Sequence, residues 1–198
     1  SGTIDAYDGC YYLDVGSMRY QQPFGPTMMP PGSSLGGRQT DLVPLDVGMG
    51  LTAERHIYVP STGPGYARYI DVVNNTTGAD VSVTMTISGN LGSDFGTVLM
   101  ATSSGDMVLT AADLWFATDD MDGSGDPSLA HVVQGDGALV PASSITQMMD
   151  NISYSFPVTV PAGGRVAIMT FAVQDQNQAT VQATAAYIEG LPDDVLLG

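Results

Sequence analysis

Between residues 119 and 126 the chain reads DDMDGSGD, which places Asp120, Asp122, Ser124 and Asp126 at alternate positions with glycines among them. A calcium ion takes about six to eight oxygen ligands, and a short glycine-containing loop with acidic groups at alternate positions can wrap several of them around one centre. Counted from Asp120, the four side chains occupy positions one, three, five and seven of an EF-hand loop, and Gly125 falls at position six, where that loop bends sharply. The match ends there, because position twelve is His131 and not a bidentate glutamate. The spacing predicts a calcium site formed by Asp120, Asp122, Ser124, Asp126 and the adjoining Asp119, completed by Asp113, Asp136, Asp106 or backbone carbonyls. Crowded like charges favour a cation among them. The alternative is a solvated polar turn, since Asp and Gly are turn formers in any protein.

Other constellations carry less chemistry. His56 and His131 are the only histidines and lie far apart in sequence, so a zinc site would have to be assembled entirely by the fold. The P-loop and the GxGxxG fingerprint are both absent. Glu54 and Glu189 are the only glutamates, and no carboxylate pair stands out for glycoside hydrolysis among the aspartates. The reading is therefore non-enzymatic. Tyr11, Tyr12, Tyr66, Tyr69 and Trp115 offer a sugar-stacking platform, although Trp115 lies in an apolar run better suited to a core. Cys10 is the single cysteine, so no disulfide forms within the chain. It is read as a small buried thiol, with an intermolecular bridge or, though no lipobox surrounds it, a lipid anchor as the alternative.

The composition narrows the partners. A net charge of -16, with five arginines and no lysine, repels nucleic-acid phosphates and anionic membrane surfaces and favours cations. The apolar content of 43% predicts a folded chain and not an acidic tail. No apolar run is long enough to form a membrane-spanning helix.

The elements that must position these residues read mainly as strands. In ADVSVTMTIS, residues 79–88, Val81, Val83, Met85 and Ile87 alternate with Ser82, Thr84 and Thr86, the pattern of a half-buried antiparallel strand. NISYSFPVTV repeats the alternation through Ile152, Tyr154, Phe156, Val158 and Val160, with Pro157 pointing to an edge position. GRVAIMTFAV, residues 164–173, is apolar on both faces and predicts a strand between two layers. Further strands are expected at YYLDV paired with MRY, and at RHIYVP, ARYIDVV, TVLMAT and LWFAT, separated by Gly- and Asn-rich turns. Residues 175–198 read as helical, with Asp175 placed to cap, Gly190 to end the first helix and Pro192 to begin a short second one. Residues 1–198 are read as one all-β domain, an antiparallel β-sandwich. It has an N-terminal hairpin at 1–20, an irregular loop at 21–38 in which Phe24, Met28 and Met29 pack down on the sheet, and the helical segment at 175–198.

GGRQ at 36–39, the stretch from YVPSTGPGYARYIDVV through SSGD at 58–106, DLWFATDDMDGSGDPSLAHVVQG at 113–135 and VPAGGRVAIMTFAVQ at 160–174 together resemble a β-rich module of large secreted or surface-exposed bacterial proteins. Such modules stand beside immunoglobulin-like or other adhesive modules and have no established activity. The resemblance implies an extracellular or cell-surface structural or adhesive part, with Arg55 and Arg68 structural. On physical grounds Arg68 is expected to pair with an internal carboxylate. The alternatives are a glycan-binding accessory module of a polysaccharide-degrading enzyme, or a subunit of a surface layer or filament whose neighbour seats on FGPTMMPP.

Overall fold

The alternating segments form the centres of two antiparallel sheets in the computed structural model, which describes residues 5–21 and 32–196. Phe24, Met28, Met29 and the whole of FGPTMMPP lie outside the described residues. The first sheet contains β1 (Tyr7–Val15), β2 (Met18–Tyr20), β7 (Val81–Leu91), β11 (Ser144–Met148) and β12 (Asn151–Val160), in the order β11-β12-β7-β1-β2. The second contains β3 (Gly32–Ser34), β4 (Gln39–Asp46), β5 (Leu51–Tyr58), β6 (Tyr66–Asn75), β8 (Val98–Thr102), β9 (Trp115–Asp119), β10 (Ser128–Val132) and β13 (Arg165–Asp175). Its order is β3-β4-β5-β6-β13-β10-β9-β8. Helix α1 (Gln178–Glu189) packs on β9, β10 and β13, and α2 (Asp193–Leu196) follows it.

The all-β sandwich with a short C-terminal helical segment is thus what the periodicity encodes. Met85 and Ile87 of β7 and Ile152, Tyr154, Phe156, Val158 and Val160 of β12 are buried on one face, and their Ser and Thr neighbours face outward. Each fully buried apolar side chain of this size stabilises the fold by about 1.5–3 kcal/mol. β13 is apolar on both faces because it serves two cores. Ile168 and Ala172 enter the space between the sheets, while Phe171 and Val173 pack with Val181, Ala185 and Ile188 of α1.

The sequence expectation needs four corrections in the fold. β12 is not an edge strand, since it lies between β11 and β7. Its pairs with β11 run only from Asn151 to Ser155, so Pro157 sits where β12 has outrun its neighbour and no ladder on that side requires its missing N–H. Asp175 does not cap α1, because β13 continues to Asp175 through pairing with Ser128. The cap is Asn177, whose side chain accepts from the Thr180 N–H at 3.2 Å. The loop expected at 21–38 contains β3, paired with β4.

Arg68 is the fourth correction. It is buried, yet no carboxylate meets it; it donates to the carbonyls of Val195 (3.0 Å) and Leu196 (2.7 Å) and lies 4.8 Å from the Tyr58 ring centroid. The last carbonyls of a helix carry partial negative charge and lack intrahelical donors, so α2 supplies the anionic partner through its backbone. The carboxylate pair forms instead at Arg55, directly opposite Asp71 across β5 and β6.

Candidate functional site

The aspartate loop lies between β9 and β10, as the flanking apolar runs predict, but its carboxylates are occupied by the protein. Asp119 is fully buried; Oδ1 accepts from the Asp120 N–H, and Oδ2 accepts from Ser128 Oγ (2.9 Å) and Gln178 Nε2 (2.8 Å). Asp122 Oδ1 accepts from the N–H of Gln178, the first residue of α1, at 2.9 Å, where a negative charge complements the helix dipole. Asp126 Oδ1 accepts from the Asp5 N–H at 3.1 Å. Ser124 is exposed, with its N–H bonded to the Met121 carbonyl. Gly125 has φ 76°, and a Cβ there would run into the Asp120 carboxylate, so the bend requires glycine.

Asp120 differs from the others. Its Oδ1 is buried and has no hydrogen-bond partner. Gly96 of the 94–96 turn abuts its Cβ, and the same end of the sandwich gathers Asp5, Asp94, Asp126 and Asp150 around Asp8. Local desolvation and the charges of those four aspartates hold the Asp8 carboxyl above the ordinary carboxylate range. Among the described residues, no group of three or more His, Cys, Asp and Glu side chains is arranged as a ready metal cage.

The supplementary ligands considered from sequence are elsewhere. Asp113 stands at the opposite end of β9, where it accepts from the N–H groups of Thr110 and Ser104 and closes the turn between β8 and β9. Burial opposes its charge, but these donors outweigh it and hold the carboxyl below its usual range. Asp106 accepts from Ser104 Oγ and the Val108 N–H in the same turn. The histidines are also separated. His56 Nδ1 lies 2.7 Å from Asp41, half-exposed, whereas His131 is fully buried with Nδ1 2.8 Å from Tyr11 Oη.

The five aromatic residues do not form one platform. Trp115 is buried in the core beneath α1, Tyr12 is on the outer face 4.6 Å from the Arg19 guanidinium, and Tyr11 is buried between the sheets, stacked on Tyr69 with centroids 4.6 Å apart. Tyr69, however, lies beside a residue that sequence reasoning missed, whereas Tyr66 turns to the opposite face of β6 and packs on Phe171 beneath α1, with ring centroids 5.7 Å apart. Tyr7 and Tyr69 line a cleft of about 620 Å³, bordered by Tyr66, Gln174, Asp175 and Gln176.

Two bulges on β1, between Tyr7 and Gly9 and between Gly9 and Tyr12, create this arrangement. Tyr11 at φ 52° lies within the second of them in a strained left-handed conformation, and both Tyr7 and Tyr11 turn their hydroxyls inward. The small residues of DAYDGC were the available signal. Burial raises Tyr7, pushes Tyr69 up to about 12 and raises the Cys10 thiol, which also lines the cleft. The inner wall is therefore neutral. Such a concave site, aromatic inside and amide-rimmed, can hold a small polar ligand with an apolar face.

No protein-family model matches this chain, and no curated protein matches it in sequence. Among solved structures it is similar to a polysaccharide lyase at 12% identity and a TM-score of 0.51, over 89% of this chain and 27% of that one. It is also similar to a protein assigned as an aldose 1-epimerase from Klebsiella pneumoniae (13% identity, TM-score 0.49, 76% of this chain and 54% of that one). A third is a heparan sulfate lyase from Pedobacter heparinus (10% identity, TM-score 0.48, 74% and 21%). The chain spans about a quarter of the polysaccharide lyase, with which it shares a fold.

Proposed function

We propose that this chain is a non-catalytic, extracellular carbohydrate-binding module of a larger protein, with the tyrosine-lined cleft as its ligand site. The observation that carries the reading is the cleft that Tyr7 and Tyr69 line beside the amides of Gln174 and Gln176. A pyranose ring presents apolar C–H faces and hydroxyl edges, which suit aromatic walls and amide rims respectively. The fold shared with part of a polysaccharide lyase supports the same context.

The test is a glycan array followed by calorimetry on any sugar that binds. Gln174→Ala, at the exposed rim, is expected to weaken that binding roughly tenfold, the scale of one lost hydrogen bond. A protein that retains no glycan on the array would end this reading.

A second reading concerns stability. The buried, partnerless Asp120 Oδ1 and the aspartates gathered around Asp8 favour a calcium ion bound at this end, as an extracellular structural module would use one. An ion bound only by the folded state contributes about 1.4 kcal/mol at a tenfold excess over Kd. For a chain of this size that raises Tm by roughly 3–6 °C. Calorimetric melting with calcium and then with a chelator measures it, and Asp120→Asn should abolish the difference. An unchanged Tm would remove calcium from the account.

A further inference from the structure

We infer that the cleft accepts neutral sugars and rejects those bearing uronate or sulfate groups, an inference that rests on the carbohydrate reading above. Among the described residues lining the cleft there is no arginine or histidine, and Asp175 is the one charged side chain. The chain contains no lysine at all. The guanidinium groups nearest by contact are already committed to partners.

Arg55, which lies 5.2 Å from the Tyr69 ring centroid, is held by both oxygens of Asp71 and by the Tyr11 carbonyl. Arg38 donates to the carbonyls of Val59 and Pro60. Arg68 is held by the carbonyls that end α2. An anionic sugar entering the cleft would lose its hydration, find no free cation and face Asp175 within the field of a chain of charge -16. A neutral sugar meets none of these costs. The side-chain amides of Gln174 and Gln176 each offer a donor and an acceptor, the complement of adjacent sugar hydroxyls.

Cys10 provides the readout. It is the only cysteine of the chain and lines the cleft, so a bound sugar should shield it from alkylation by iodoacetamide. Wild-type protein would be challenged with neutral gluco-, manno- and xylo-oligosaccharides and, separately, with oligogalacturonate and heparin oligosaccharides, using calorimetry and the alkylation rate together. At least one neutral series is expected to bind and protect Cys10, with the anionic sugars at least a hundredfold weaker. Gln174→Arg, which places a cation at the exposed rim, is expected to admit oligogalacturonate. Protection by anionic sugars as strong as that by neutral ones overturns the inference and leaves the carbohydrate reading standing. Failure of every sugar to bind or protect overturns both.

Discussion

Asp71→Ala is expected to destabilise the protein by about 3–5 kcal/mol, read as a fall in the urea unfolding midpoint. Arg55 and Asp71 face each other across β5 and β6, with Nε–Oδ1 at 2.6 Å and Nη2–Oδ2 at 2.9 Å. Asp71 has no exposed surface and Arg55 is 7% exposed, so neither charge could recover hydration once its partner is removed. Burial acts against both charges, raising the Asp71 carboxyl and opposing the Arg55 guanidinium, while each partner's charge acts the other way. The bidentate geometry decides for the ionised pair, and Arg55 is held above its ordinary value.

Arg55 also donates to the Tyr11 carbonyl and so ties β5 to β1 of the opposite sheet. The loss would be a large part of the roughly 5–15 kcal/mol that stabilises a typical folded chain. Replacing both residues, Arg55→Met with Asp71→Leu, should recover most of it, because the cost lies in stranding one charge and not in lacking a pair. A single Asp71→Ala variant within 1 kcal/mol of wild type would show that water or a shifted side chain satisfies Arg55.

The same pair marks how far the sequence can be read. A hairpin centred near Gly63 sets Arg55 opposite Asp71, so their meeting follows from strand register once the turn is placed. Arg68 lies on the same hairpin, but its partners are carbonyls of α2, which an inventory of side-chain charges does not contain. The alternation in β7 and β12 was legible because each has one face committed to a core, and the continuous apolar run of β13 because it serves two. β3 and β11 were not, being short and mostly polar.

Spacing located the aspartate loop and counted its oxygens, but it could not see the donors competing for them. Gln178, Ser128 and the Asp5 backbone reach those carboxylates from other parts of the chain. The cleft was half legible. Tyr69 was among the candidates, whereas Tyr7 joins it only through bulges that the apolar pattern does not announce, and the Tyr66 ring turns to the other face of the sheet.

His131 should make stability fall steeply with acidification, well above the pH at which carboxylates titrate. The ring is fully buried between Tyr11 and Phe116, with centroids 6.1 and 4.7 Å away, and Nε2 has no hydrogen-bond partner. Burial alone pushes its pKa down to about 3, from about 6.5 in an unfolded chain. Below pH 6.5 the unfolded state takes up a proton that the folded state refuses, so stability is complete above that value and is lost as pH falls toward 3. The loss amounts to about 2.5 kcal/mol between pH 7 and pH 4.5, and to about 4 kcal/mol by pH 3. Asp41 and Asp113, whose carboxyls are held below the ordinary range, contribute in the same direction only at the acid end of that interval. Asp8 and Asp71, whose carboxyls are held above that range, act in the opposite sense, so the difference in slope between wild type and a His131 variant, from urea unfolding at pH values between 7 and 4.5, isolates the histidine. His131→Gln is expected to lower stability at neutral pH, because it disturbs the contact with Tyr11, yet to flatten the slope across this window. A variant that keeps the full wild-type slope would mean that the acid sensitivity belongs to other groups, and that His131 can be protonated where it stands.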